Sequence, residues 1–214
     1  MSDPKSDQLT EAQLAVHWKE EEYYYPPTSF IAQANTTDSD ILERFCEKNF
    51  PECFPASAAL LTWYKYWEKT LDTSPPPFWK WFVGGELNAS YNCVDRHLAQ
   101  HRNKTAIHFV PELESDRIEH VTYQELWVRV NELAALLRDF CGLKRGDRVT
   151  LHLPMIVELP ITMLACARLG VIHSQVFSGF SGQACGERIA DSGSRVLITA
   201  DSYYRSGTLI DHKK

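Results

Sequence analysis

The sequence predicts an α/β fold: a parallel βαβαβ sheet covered by helices, preceded by an aromatic-rich helical amino-terminal segment. Short apolar runs alternate with helix-length segments in the second half of the chain, and the connections between them are short. Parallel strands joined by such crossovers form a sheet that is covered on both faces. Charge separates the first part of the chain, because residues 1–74 carry 13 acidic and 6 basic side chains, whereas residues 75–214 carry 15 and 16.

Residues 1–74 are predicted to form an acidic helical extension. Three helices are expected, at 11–25, at 38–50 behind the possible caps Thr37 and Asp38, and at 57–71. The last of these carries four aromatic residues that need a surface to cover: Trp63, Tyr64, Tyr66 and Trp67. Three consecutive prolines at 75–77 enforce extended backbone, so we place a domain boundary there and assign 75–214 to the α/β part.

Local signals define the first elements after this boundary. Ser90 is expected to cap a short helix that runs to residue 100, and residues 105–110 read as a strand. Thr122 and Glu125 have the spacing of a capping box, and the apolar residues that follow recur at helical spacing. Gly142 offers a left-handed position at which this helix ends.

The βαβαβ unit follows directly. We predict strands at 148–153, 171–177 and 195–200, with helices at 156–169 and from the capping residue Ser181 to about residue 191. Gly170 is expected to end the first of these helices. Ligands of open parallel sheets bind outside the carboxyl ends of the strands, so the residues that follow each strand are the first place to look for a site.

Two groups of residues at this edge are candidate ligand contacts. Phe177, Ser178 and Gly179 end a strand before the helix capped by Ser181, and free N–H groups at a helix start hold phosphates or carboxylates. The alternative is that the glycine only makes a turn and the serine only caps a helix. After the third strand, Asp201, Tyr203, Tyr204 and Arg205 are expected on a loop, which is either solvated or binds a nucleotide phosphate and base.

Other function classes find little support in the sequence. Cys93, His97 and His101 lie at i, i+4 and i+8, which spans about 12 Å along a helix, so three ligands to one zinc ion are not expected and no metal site is predicted. No catalytic motif occurs in the chain. The acidic extension and the lack of basic runs argue against nucleic-acid or membrane partners. Scattered cysteines and a polar amino terminus indicate a cytoplasmic protein.

Four stretches resemble the beginning of AMP-forming acetyl-CoA synthetases. They are NASYNCVDRH (88–97), MLACARLG (163–170), VFSGFS (176–181) and RIADSGSRVLITAD (188–201). The resemblance implies an enzyme that converts acetate and ATP, with Mg²⁺, to acetyl-adenylate and then transfers the acetyl group to coenzyme A. It also implies that Phe177, Ser178, Gly179 and Arg205 contact coenzyme A.

The resemblance has departures and leaves alternatives open. Ser178 stands where such enzymes commonly have a second glycine, and Thr208 stands where a second arginine is usual three residues after Arg205. Because these enzymes are much longer, we expect this chain to be an amino-terminal piece that is inactive alone, with the ATP and Mg²⁺ sites outside it. The alternatives are a stand-alone, non-catalytic module that binds a nucleotide or a partner, and a relative that acts on propionate or another short acid.

Overall fold

A computed structural model describes residues 25–35 and 40–212 of the protein. The chain divides into two compact units, Met1–Cys53 and Phe54–Lys214. Apart from its last residue, the helix predicted at 11–25 lies outside the described residues, as do the caps predicted at Thr37 and Asp38.

The first unit contains short helical pieces. They are α1 (Thr28–Ile31), α2 (Ile41–Arg44) and a 3₁₀ turn (Glu47–Asn49). The single helix predicted at 38–50 was therefore wrong, since the backbone at Cys46 is extended, with φ −74° and ψ 162°. A helix cannot run through a residue in that conformation.

The second unit opens with α3 (Phe54–Ala58) and a pair of antiparallel strands, β1 (Lys69–Asp72) and β2 (Lys80–Val83). The helix predicted at 57–71 was wrong. Its aromatic residues pack across the strand pair, because the Trp63 ring lies 5.0 Å from that of Trp67 and 5.8 Å from that of Phe82. The boundary predicted at residue 75 falls between two paired strands, and the roles assigned to 1–74 and 75–214 stay predictions.

The segment after β2 forms α4 (Ala89–Cys93), a 3₁₀ turn (Asp95–His97) and α5 (Leu98–His101). The predicted cap at Ser90 was wrong by two residues. Asn88 is the N-cap, and its Oδ1 accepts a hydrogen bond from the Tyr91 N–H at 3.1 Å. The same side chain donates to the carbonyl of Ala167 at 3.1 Å, which ties this segment to the later sheet region.

The predicted strand and helix that come next are confirmed. β3 (Thr105–Phe109) pairs antiparallel with β4 (Glu119–Thr122), a strand that the sequence did not predict. Then α6 (Tyr123–Ala135) begins with the complete capping box, in which Thr122 Oγ1 accepts from the Glu125 N–H at 3.2 Å and the Thr122 N–H donates to Glu125 Oε2 at 2.7 Å. A π-helical turn, Leu136–Phe140, extends the helix towards Gly142, where φ is +65°.

The βαβαβ unit is confirmed with its parallel sheet. It consists of β5 (Arg148–His152), α7 (Glu158–Leu169), β6 (Ile172–Gln175), α8 (Gly182–Ser192) and β7 (Val196–Thr199). The strand order is β6-β5-β7, and both pairs are parallel. Because β6 and β7 flank β5 on opposite sides, right-handed crossovers place α7 and α8 on opposite faces of the sheet.

The side chains of β5 alternate accordingly. Val149 and Leu151 are fully buried in the apolar core that also contains residues of α6 and α7. Thr150 faces the other side, where its hydroxyl donates to Ser194 Oγ at 2.8 Å just after α8. Both faces of the sheet are therefore covered, as a parallel sheet requires.

The last elements are β8 (Ser202–Arg205) and β9 (Thr208–Asp211), which form an antiparallel hairpin. The loop predicted for residues 201–205 is therefore a strand over most of its length. Ser206 and Gly207 make the connection with φ +50° and +73°, the pair of positive φ values that a two-residue type I′ turn needs. Among the described residues, no helix has the length and apolar character of a membrane span.

Candidate ligand site at the carboxyl edge of the parallel sheet

The strand order places a crevice at the carboxyl ends of β5 and β7. From β5 the chain passes to β6 on one side, and from β6 it crosses back to β7 on the other side of β5. The connections through α7 and α8 therefore diverge between β5 and β7, and open parallel sheets bind ligands at such a point. A cleft of about 710 Å³ opens at this point. Its lining includes His152, Gly179, Phe180, Thr199, Arg205 and His212.

Three of the predicted contact residues meet at the rim of this cleft. The guanidinium carbon of Arg205 lies 5.5 Å from the centre of the Phe177 ring. A Cβ atom on Gly179 would lie 2.6 Å from Arg205 Nη1 and 2.6 Å from Phe177 Cε1. A side chain at position 179 would have to displace the Arg205 guanidinium and the Phe177 ring, so the strand end at 177–179 and the end of β8 are in direct contact.

The other two predicted residues lie beside them. The carbonyl of Ser178 accepts a hydrogen bond from Tyr203 Oη at 3.1 Å, which fastens the turn after β6 to strand β8. Thr208 is exposed and pairs with Arg205 in the hairpin register. The fold thus brings all five residues to one edge, and their contact with coenzyme A stays a prediction.

Helix α8 begins at the same edge. Its predicted cap is confirmed, because Ser181 Oγ accepts from the Ala184 N–H at 3.2 Å. Phe180, just before the cap, meets the Phe177 ring edge to face at 5.9 Å, and the Arg188 guanidinium carbon lies 4.7 Å from the centre of the Phe180 ring. Sequence reasoning missed Phe180 and Arg188. The signal was the seven-residue spacing from Ser181 to Arg188, which is two helical turns.

Two histidines inside the cleft were also missed. His152, at the end of β5, is buried, and its Nε2 lies 3.2 Å from His212 Nε2. Burial lowers the pKa of His152 below its ordinary value, and the neighbouring His212 lowers it further, whereas a hydrogen bond with the Phe177 backbone opposes both effects. The neutral imidazole is therefore favoured, and it offers a hydrogen bond rather than a charge to a ligand.

A second cleft, of about 570 Å³, lies next to the first. Its wall includes Phe109, Glu112, Met155 and Tyr204, and it shares Ser178, Tyr203 and Arg205 with the first cleft. Glu112 Oε1 accepts a hydrogen bond from the Gly207 N–H at 3.2 Å and so holds the hairpin turn. Arg205 therefore stands between two clefts, where a guanidinium can reach an anion in either one.

The predicted arrangement of Cys93, His97 and His101 on one helical face was wrong. A 3₁₀ turn separates α4 from α5, so these residues do not lie on one continuous helix. His97 Nε2 lies 3.1 Å from the backbone carbonyl oxygen of Asn92, so this ring nitrogen is engaged in a hydrogen bond with the backbone. Within residues 25–35 and 40–212, no group of three or more His, Cys, Asp or Glu side chains is placed to hold a metal ion.

The adjoining Asp95-Arg96-His97 segment is held by polar contacts. The Asp95 carboxylate accepts a hydrogen bond from Trp127 Nε1 at 3.0 Å and pairs with both terminal nitrogens of Arg168. Arg96 Nη1 donates to the carbonyl of Leu60 at 3.0 Å. These bonds join the segment to α6 and α7 and position no group at the clefts.

Comparison with known proteins bears on both halves of the chain. The family model described as AMP-binding enzyme matches residues 94–214, and the model described as acetyl-coenzyme A synthetase N-terminus matches residues 42–93. The acetyl-coenzyme A synthetase of Pyrobaculum aerophilum is 48% identical over 174 residues, which cover 78% of this chain and 26% of that protein.

Two further relatives extend the comparison. The acetyl-coenzyme A synthetase of Mycobacterium bovis is 45% identical over 185 residues, covering 86% of this chain and 28% of the relative. The 3-hydroxypropionyl-coenzyme A synthetase of Sulfurisphaera tokodaii is 51% identical over 156 residues, covering 72% and 23%. The chain spans about a quarter of the length of these relatives.

Proposed function

Because the chain belongs to the AMP-binding enzyme family, we propose that it forms the amino-terminal part of an AMP-forming acetate–CoA ligase. The proposed reaction joins acetate and ATP to acetyl-adenylate with release of pyrophosphate, and then transfers the acetyl group to coenzyme A. Mg²⁺ accompanies the nucleotide. On this proposal the residues that bind ATP and Mg²⁺ lie outside these 214 residues, which contribute to the coenzyme A site.

The contact among Arg205, Phe177 and Gly179 carries this proposal. A guanidinium supplies a planar, permanently charged donor that suits a phosphate. The exposed Phe177 ring offers an aromatic face on which a base can stack. The missing side chain at Gly179 leaves room for the Arg205 guanidinium and the Phe177 ring to lie together at this edge. The residues present therefore fit the phosphorylated adenosine end of coenzyme A.

Thr208 fits that ligand less well. It lies beside Arg205 across the hairpin turn, where its hydroxyl can form a neutral hydrogen bond but contributes no charge. Neutral hydrogen bonds to phosphate are weaker than charge-assisted ones. Position 208 is therefore expected to contribute less to coenzyme A affinity than a second arginine would.

Substitution of Arg205 tests the proposal in the full-length ligase. Loss of a charge-assisted hydrogen bond costs about 1.5–3 kcal/mol, so Arg205→Ala should raise the KM for coenzyme A roughly 10- to 150-fold. Acetate-dependent exchange of pyrophosphate into ATP, which needs no coenzyme A, should stay nearly unchanged. Arg195→Ala is the matched control, because Arg195 pairs with Asp147 at the other end of the sheet.

Pyrophosphate exchange and the KM for coenzyme A together distinguish a binding role of Arg205 from a structural one. Equal loss of pyrophosphate exchange and of coenzyme A utilisation would mean that Arg205 supports the fold. An unchanged KM would show that the coenzyme A contact does not lie here. A full-length protein with neither activity would favour the stand-alone binding module.

The acyl group is open to a second candidate. The relative from Sulfurisphaera tokodaii, named as a 3-hydroxypropionyl-coenzyme A synthetase, is 51% identical over its matched region. Acetate, propionate and 3-hydroxypropionate should therefore be compared in the pyrophosphate exchange assay. If exchange is fastest with 3-hydroxypropionate, that acid would replace acetate as the proposed substrate.

We also propose a cytoplasmic location, supported by six cysteines that are all free.

A further inference from the structure

Two arginines flank one pair of aromatic rings at the rim of the cleft. Arg205 lies over the ring of Phe177, and Arg188 lies over that of Phe180 at 4.7 Å. The two rings meet edge to face, with centroids 5.9 Å apart and planes at 88°. Phe177 is 53% exposed and Phe180 45% exposed, and both arginines are exposed beside them, so a ligand can reach the rings and the cations.

The charges on these two arginines are not neutralised by ion pairs among the described residues. Arg129, Arg138, Arg168 and Arg195 all pair with carboxylates, whereas Arg188 and Arg205 form no such pair there. Arg188 is nevertheless fixed in place, because its Nη1 donates to the carbonyl of Ala184 at 2.8 Å in its own helix. A positioned cation without a carboxylate, in a chain of net charge −6, is suited to an anionic ligand.

The ligand proposed above carries two separate anionic groups. Coenzyme A has a phosphate on the ribose 3′ oxygen and a diphosphate on the 5′ oxygen, and one guanidinium in a fixed position meets one of them well. Thr208, the position beside Arg205, carries no charge for the other. A second cation must come from another element if both groups are to be bound by charge-assisted hydrogen bonds.

We propose that Arg188, held over Phe180, is the second anion-binding residue of this site and takes the phosphate group that Arg205 does not. This inference rests on the proposed coenzyme A function and extends it to helix α8. Phe180 positions Arg188 through the face of its ring and links it to the Phe177–Arg205 pair. The site therefore has two cation–aromatic pairs, one on the hairpin side and one on the helix side.

Calorimetric titration of the full-length ligase with coenzyme A tests this directly, without turnover. Arg188→Met keeps an apolar stem over Phe180 and removes the charge, and we expect about tenfold weaker binding, the lower limit for a lost charge-assisted contact. Arg188→Lys should recover part of the loss because it restores the cation. Arg102→Met is the matched control. Arg102 is also an exposed arginine, but it lies before β3 and lines neither of the two clefts.

Dephospho-coenzyme A, which lacks the 3′-phosphate, identifies the group that Arg188 meets. If Arg188→Met weakens coenzyme A but not dephospho-coenzyme A, the 3′-phosphate is the partner; equal weakening of both identifies the diphosphate. Either pattern supports the proposal. Thermal melting of each variant checks that the fold is kept.

Three results would overturn the inference. If Arg205→Met weakens binding and Arg188→Met does not, the coenzyme A site stands and the role of Arg188 is refuted. If Arg102→Met weakens binding as much as Arg188→Met, the effect is one of net charge. If the folded wild-type ligase binds no coenzyme A, the proposed site and the role of Arg188 fail together.

Discussion

The ion pair between Asp95 and Arg168 should be a large single contribution to the stability of the second unit. Asp95 lies in the 3₁₀ turn before α5 and Arg168 lies at the end of α7, so their bond joins segments 73 residues apart. Their side chains are only 18% and 22% exposed. Arg168 Nε is buried and has no hydrogen-bond partner among residues 25–35 and 40–212, where the two terminal nitrogens make the ion-pairing contacts of this guanidinium.

Asp95→Asn removes the charge and keeps the shape. The amide oxygen can still accept from Trp127 Nε1, but the partly buried Arg168 cation loses its counter-ion. Breaking a buried pair costs about 3–5 kcal/mol, and a hydrogen bond to a charged group is worth about 1.5–3 kcal/mol. Because both side chains keep some solvent contact, we expect a loss of about 2–3 kcal/mol in the free energy of unfolding.

Urea denaturation followed by circular dichroism measures this loss. Asp139→Asn is the control, because Asp139 also pairs with an arginine, Arg138, at 2.7 Å. The side chains of that pair are 60% and 63% exposed. Asp139→Asn should cost clearly less than Asp95→Asn, because solvent screens an exposed ion pair. Arg168→Met in the Asp95→Asn background should recover part of the stability by removing the unpaired cation. Equal effects of the two Asp→Asn substitutions, or no recovery by Arg168→Met, would refute the reasoning.

Three further outcomes are expected from the chain itself. Burial raises the pKa of the Cys166 thiol to about 11, so this thiol should resist a disulfide reagent at pH 8 until the chain unfolds. Exposed Cys93 should react in the folded state. Rapid labelling of Cys166 in the folded chain would contradict its burial. Thr122→Ala should lower stability by about 1 kcal/mol through loss of the capping box, and an unchanged urea midpoint would show that the cap is dispensable. The pKa of His152 is lowered in the folded state, so the unfolded chain binds the proton more readily. The contribution of His152 to stability should therefore be constant above about pH 6.5 and fall as the pH drops below it. This fall should be shallower in His152→Gln, and an identical slope in both proteins would exclude His152 as the cause.

Local sequence signals predicted those elements whose partners are near in the chain. The capping box needs only Thr122 and Glu125, three residues apart, and it is present as predicted. Ser181 caps α8 by accepting a single hydrogen bond from the Ala184 N–H, and Gly170 ends α7 in the left-handed conformation. The strands and helices of the βαβαβ unit follow from apolar runs and turn residues, so their order along the chain was readable without the structure.

The predictions failed where distant contacts decide the conformation. Trp63 and Trp67 have a spacing that is typical of a helix, yet they pack with Phe82 around the β1–β2 pair. A strand pair buries an aromatic surface that an isolated helix would leave exposed, and helical spacing in one segment does not reveal such a partner. The β8–β9 hairpin was missed for a different reason: its strands are joined by the two-residue turn at Ser206 and Gly207, a local signal that was passed over when a loop was predicted for 201–205.

The sequence by itself determined the α/β class, the parallel βαβαβ unit and the edge at which the candidate ligand contacts collect. Only the tertiary structure decided the order β6-β5-β7, which sets α7 and α8 on opposite faces and opens the crevice between β5 and β7. It also decided that Gly179 lies between Phe177 and Arg205, and that Phe180 brings Arg188 to the same surface. The physical reason is that strand order and these contacts depend on which residues pack together across the sheet, whereas caps, turns and periodicity are set within a few residues of chain.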